Sequence, residues 1–125
     1  MKYSIDKQEK YTIFTPQEEN LNLLIAPNLR SEFYKLRSEE TPHLILDLNH
    51  VKFVDSSGLS AILTGYRLWK DVEGAFVITG VQHSNVKKLI EISQLHSTLT
   101  IIPTLDESIE FIYMEDIERQ LREEG

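Results

Sequence analysis

The chain has 125 residues, no cysteine and a formal net charge of −7, from 20 acidic against 13 basic side chains. Its length favours one domain with a real core. The acid excess argues against sequence-independent nucleic-acid binding and against docking on an anionic membrane, and the missing cysteines exclude disulfides, thiolate nucleophiles and cysteine-based zinc sites.

The N-terminal stretch MKYSIDKQEKYTIF lacks the apolar region of a secretory signal, and no apolar run approaches the ~20 residues that span a bilayer. A cytoplasmic setting without membrane insertion is expected. Tyr3-Ser4-Ile5 and Tyr11-Thr12-Ile13-Phe14 are short β-prone runs, read as a hairpin or two sequential strands. Pro16 and the polar Gln17 to Asn20 break the second run. Leu21 to Ile25 is apolar and reads as a strand end or a buried turn. Pro27 suits the first turn of a helix on which Leu29, Phe33 and Leu36 recur at helical spacing until Thr41-Pro42 stops it.

Leu44-Ile45-Leu46-Asp47-Leu48 is nearly all apolar and is expected as a central strand buried on both faces. The polar pair Asn49-His50 follows, then a short apolar run from Val51 to Val54. A second helix carries Leu59, Ile62, Leu63, Tyr66 and Trp69 on one stripe and exits near Gly74. Ala75 to Thr79 is another strand, closed by Gly80. Val86, Leu89 and Ile90 mark a third helix, and Leu99 to Ile102 a strand ended by Pro103. Asp106 or Thr104 caps a last helix, whose acidic end from Glu115 to Gly125 is expected to be exposed and frayed. The order β-β-α-β-α-β-α-β-α predicts a single α/β domain over residues 1–125, with its core at about 3–113. Its sheet is mixed but mostly parallel, with right-handed crossovers and an antiparallel edge from the first pair.

Residues 53–59, Phe-Val-Asp-Ser-Ser-Gly-Leu, carry the chemistry. A strand delivers two hydroxyls and a carboxylate to the start of a helix, where backbone N–H groups are unpaired and the macrodipole is positive. An added phosphate is tolerated there and changes the local charge by about −1.5 to −2. Such an arrangement suits a switch better than a catalytic site. On local chemistry alone, Asp55 or Ser56 is a plain helix cap. Ser57 is expected to satisfy helix N–H groups, and Gly58 to permit close approach of the helix end to a neighbour. No G-x-S-x-G elbow supports a hydrolase triad with His50. His43, His50, His83 and His96 are scattered without metal-ligand spacing, and the glycines form neither a P-loop nor a dinucleotide fingerprint. No catalytic residue, cofactor or metal is assigned. Tyr66 and Trp69 read as core and rim.

The segment Phe53 to Leu59, with the preceding strand Leu44–Leu48, resembles the STAS domains of the small bacterial anti-sigma factor antagonists. Gln94-Leu95, where that family usually has a Gly-Leu turn, and Asp106-Glu107-Ser108-Ile109 extend the likeness. The resemblance implies a STAS fold and a protein that is not itself an enzyme. It implies an anti-sigma factor that is also a serine kinase as partner, a protein phosphatase that resets the switch, and Ser56 as the phosphate acceptor. Asp55, Ser56, Ser57, Gly58 and Asn22 are the partner-binding residues by the same likeness. One departure is visible: the family's Gly-Glu-Leu-Asp-like segment is Glu19-Asn20-Leu21-Asn22 here, so two carboxylates are replaced by the uncharged Asn20 and Asn22. That departure leaves an alternative, a STAS subunit that is never phosphorylated and serves as a structural part of a stress-sensing scaffold or a lipid-transport complex.

Overall fold

The computed structural model describes residues 1–124. The elements are β1 (Tyr3–Lys7), β2 (Thr12–Pro16), β3 (Asn20–Leu21), α1 (Ala26–Ser38), β4 (Leu44–Asp47), β5 (Phe53–Val54), α2 (Ser56–Lys70), β6 (Phe76–Thr79), α3 (Ser84–Ile92), β7 (Thr100–Ile102) and α4 (Leu105–Glu124), with a 3-10 turn at Leu95–Ser97. The main sheet has the order β1-β2-β4-β6-β7. β1 runs antiparallel to β2, and the other pairs are parallel. This is the expected α/β architecture with its antiparallel edge.

Side chains alternate across the strands because the pleat has a period of two. Phe14, Leu44, Leu46, Phe76 and Ile78 point to one face, where they meet Leu29, Phe33, Leu36, Ile62 and Trp69 of α1 and α2, and Val86 and Ile90 of α3. Ile13, Ile45 and Val77 point to the other face, against Ile112 of α4. Both faces of β4 are therefore buried, which explains its nearly unbroken apolar run. Gly65 lets α1 and α2 close on the first face: a Cβ there would sit 2.6 Å from Phe76 and 2.9 Å from Phe33. Trp69 is fully buried and donates its ring N–H to the Thr41 carbonyl at 3.1 Å, while Tyr66 is half-buried at the rim, so the expected division of these two aromatics holds.

α4 runs to Glu124 with residues 120–124 exposed, and Gly125 lies outside the described residues. Two polar contacts hold the helix down. Asp116 Oδ1 meets the buried His43 Nε2 at 2.7 Å, and Arg119 donates to the Glu73 carbonyl. His43 Nδ1 accepts the Ala75 N–H at 2.9 Å, so its Nε2 carries the proton given to Asp116. The second sheet face needs a cover, and α4 supplies it. Thr104 is the residue that starts this helix: its hydroxyl accepts the Glu107 N–H at 3.2 Å, as the N-cap of a capping box does, and donates to Glu107 Oε1 at 2.9 Å.

Candidate functional site

A second sheet of two residues per strand builds the site. β3 pairs in parallel with β5, Asn20 opposite Phe53 and Leu21 opposite Val54. The Glu19 carbonyl accepts the Lys52 and Phe53 N–H groups at 2.8 and 3.0 Å, and the Leu21 carbonyl accepts that of Asp55 at 3.1 Å. From the other side, the Asn85 side chain at the start of α3 accepts the Val54 N–H at 3.3 Å. Leu21 and Val54 turn inward into the main core, so the polar backbone frame is fastened to the apolar interior. Neither the two-residue strands nor the part played by Asn85 leaves a periodic signal in the sequence.

This frame delivers Asp55 as the N-cap of α2. Its backbone is extended, and Oδ1 accepts the Gly58 N–H at 2.9 Å. Its carbonyl accepts the Leu59 N–H at 2.9 Å, which begins the helical ladder. Of the two local readings of the cap, Asp55 is the one present. Ser57 was expected to satisfy helix N–H groups, but the side-chain cap comes from Asp55. Ser57 itself is half-buried. Ser56 is exposed at the first helical position. The N–H groups of Ser56 and Ser57 have no partner among the described residues, so a phosphate on Ser56 would meet open donors and the positive helix end.

Gly58 is required by its neighbour. A Cβ there would lie 2.2 Å from the Leu21 carbonyl oxygen and 2.8 Å from its carbon. Those are backbone atoms already fixed by the Asp55 hydrogen bond, so no side-chain adjustment relieves the clash. The close approach expected of this glycine is thereby identified with a specific partner, β3.

Asn22 follows β3 directly. Its Oδ1 accepts the N–H groups of Leu24 at 3.1 Å and Ile25 at 3.3 Å, and its carbonyl accepts those of Ile25 and Ala26. The side chain turns the strand into α1, a task for which Asn and Asp are equally suited. Asn20 is exposed opposite Phe53. The apolar stretch after Leu21 is not a buried turn: Leu21 is fully buried, but Leu23 and Leu24 are 69% and 81% exposed. Phe53 is 55% exposed as well, so three large apolar side chains stand in water on the two segments flanking Ser56. For Leu23 and Leu24 burial was one expectation from hydropathy alone. It fails because the Asn22 turn points Leu23 and Leu24 away from the core.

Lys52 and Glu19 form an exposed ion pair at 3.2 Å across the frame, a contact that contributes little in water. Burial pushes the Asp47 carboxyl up from its ordinary value, against the opposing pull of the Asn49 N–H and the charge of His50. Asp47 ends β4, and Gly80 with φ of +73° accommodates it: a Cβ there would sit 2.4 Å from Asp47 Oδ1. Among the described residues no cluster of His, Asp and Glu side chains is placed to hold a metal ion, and no helix is long and apolar enough to cross a membrane.

Solved structures share this architecture. An anti-sigma factor antagonist from Mycobacterium paratuberculosis superposes with a TM-score of 0.78 at 19% identity, over 90% of this chain and 93% of that one. The Bacillus cell fate determinant SpoIIAA in its phosphorylated form gives 0.68 at 16% identity, over 89% and 99%. A chain of the stressosome, a signal integration and transduction hub, gives 0.64 at 16% identity, over 88% and 96%. At these identities the likeness establishes the fold. The family model for the STAS domain matches residues 2–108, most of the chain including the whole Asp55–Gly58 frame, and the chain belongs to the STAS domain family.

Proposed function

We propose that this protein is an anti-sigma factor antagonist-like module of bacterial transcription control, which docks a regulatory partner in the cytoplasm and is switched off by phosphorylation of Ser56. The observation that carries the reading is the exposed Ser56 at the first position of a helix whose cap and frame are otherwise complete. The partner is an anti-sigma factor with serine kinase activity, and a phosphatase restores the neutral form. The protein is their substrate and not an enzyme. Asp55 fixes the helix start, Gly58 seats it on β3, and Ser57 and Asn22 border the contact. Leu23, Leu24 and Phe53 supply the apolar area that docking buries. A dianion at the centre of such a surface opposes a partner shaped for a neutral hydroxyl. A repulsion of about 3 kcal/mol weakens binding about a hundredfold. Calorimetry with the kinase partner tests this: Ser56→Asp should melt like the parent yet bind about a hundredfold more weakly, and equal affinity sinks the gate. Intact mass spectrometry of protein from its native host, with site mapping, should place one phosphoryl group on Ser56.

A second reading draws on Asn22. Its amide oxygen is committed to the turn, and it brings no carboxylate to the acceptor hydroxyl. That favours a subunit held permanently in a larger assembly and never phosphorylated. Such a subunit co-purifies with its complex whether residue 56 is Ser, Ala or Asp; the gated module releases its partner only in the Asp form.

A further inference from the structure

The outer face of α4 carries large apolar side chains that the fold does not use. Met114, Ile117 and Leu121 are 56%, 50% and 62% exposed, and Tyr113 is 47% exposed. At about 100° per residue, the first three lie within about 40° of the line pointing away from the buried Ile112, so they form one seam along the helix. Tyr113 lies further round and meets Tyr11 edge-on, with ring centroids 6.3 Å apart. The seam lies beyond residue 108, where the match to the STAS model ends.

The charges around the seam are predominantly negative. Glu110 and Glu124 extend it at either end, and Glu118 runs along its side. The two cations of this part of α4 face elsewhere: Arg119 reaches back to the Glu73 carbonyl, and Arg122 lies 3.9 Å from Glu118 on the far side of that residue. An apolar stripe edged by carboxylates is complementary to an apolar stripe edged by lysines and arginines. A second copy of this chain fits poorly, because antiparallel pairing centred on Ile117 sets Glu110 of each copy against Glu124 of the other. An anionic bilayer is opposed by the same ring of charge.

We infer that the Met114–Ile117–Leu121 face of α4 is a second docking surface, whose occupant is a basic amphipathic helix of a partner protein. It acts independently of Ser56, since α4 covers the opposite face of the sheet from α2. The test is a titration of the isotope-labelled full chain with a synthetic helical peptide bearing Leu along one stripe and Lys on its flanks. Amide shifts should concentrate on residues 110–124. Ile117→Ser and Leu121→Ser, which remove exposed side chains and should leave the melting temperature unchanged, should each weaken binding about tenfold. Glu110→Lys should also weaken it, added salt should lower the affinity, and Ser56→Asp should have no effect. A matched peptide with Glu in place of Lys should not bind. The inference is overturned if shifts centre elsewhere, if both peptides bind alike, or if the serine variants bind as tightly as the parent. It is also overturned if sedimentation shows a dimer that Leu121→Ser dissolves, or if the chain floats with phosphatidylglycerol vesicles through this face.

Discussion

One face of the main sheet lies beneath three helices and carries five aromatic or branched strand residues, whereas the other lies beneath α4 alone and contributes Ile13, Ile45 and Val77. Phe14, Phe33, Trp69 and Phe76 form a chain of ring contacts on the first face, with centroids 5.6 to 6.2 Å apart. No comparable network exists among the described residues of the second face, which adds the His43–Asp116 hydrogen bond to a small apolar cluster. The site belongs to the first face: Leu21, Val54 and Leu59 are part of its core. The rigidity of the Ser56 frame is thus drawn from the larger core, and α4 can carry contacts of its own without disturbing it.

The largest effect should come from emptying the first face. Trp69→Ala removes a fully buried ring and one of the two donors to the Thr41 carbonyl, leaving that of Arg37 at 2.8 Å, at a cost of about 3–5 kcal/mol. Ile112→Ala on the second face should cost less, nearer about 2 kcal/mol, because a smaller side chain is removed from a smaller apolar cluster. Urea midpoints at an unchanged m-value measure both. If the two substitutions cost the same, the asymmetry between the faces is only geometric.

Gly58→Ala sharpens the link between core and site. The added methyl meets the Leu21 carbonyl, and overpacking of this kind costs about 1–3 kcal/mol. Its particular signature is local. Hydrogen exchange at the amides of Asp55, Gly58 and Leu59 should accelerate more than at β4, because the clash separates β3 from the helix start. Uniform acceleration across the chain would show that the frame has no independence from the core.

The sequence made the large elements legible because each is several residues long and keeps one period. The nearly continuous apolar runs of β4 and β6 and the helical stripes of α1 and α2 required only hydropathic patterning. β3 and β5 are too short to show any period, yet they position Asp55. Leu23 and Leu24 misled for the converse reason: hydropathy reports what a side chain prefers, and here the Asn22 turn overrides it. The end of α4 looked like a solvated acidic tail, since Asp116 and Arg119 are charged residues holding the helix down through a histidine and a carbonyl that no local pattern connects. At the motif itself, Asp55, Ser56 and Gly58 could be read directly, because cap chemistry and glycine close approach are local rules.

A smaller effect concerns the ends of helices. Glu40, Glu73 and Gln94 adopt φ values of 62°, 58° and 56°, just past the ends of α1, α2 and α3. Glycine is the usual occupant of such a position. At Gln94 the side chain is exposed, so Gln94→Gly removes left-handed strain without losing packing. A gain of about 0.5–1 kcal/mol is expected after the added unfolded-state entropy of glycine is subtracted. It should appear as a higher melting temperature with no change at the Ser56 frame. A loss of stability would mean that the Gln94 side chain holds the turn in a way its exposure does not suggest.

The smallest effect depends on pH and tests whether a charge at the end of β4 is tolerated or favoured. Burial is the leading cause that raises the Asp47 carboxyl above its ordinary value of 3.8, and it outweighs the Asn49 N–H and His50, which pull the other way. In the window between the two values the folded state holds this proton and the unfolded state does not. The stabilising contribution of the protonated form is therefore complete below 3.8 and is lost as pH rises through the folded value. Asp47→Asn keeps an acceptor for the Asn49 N–H at 3.1 Å and removes the charge. Its melting temperature should exceed that of the parent at neutral pH, and the gap should close as pH falls toward 3.8. A gap that widens on acidification would mean that the ionised carboxylate, through its bonds to Asn49, is what the loop after β4 requires.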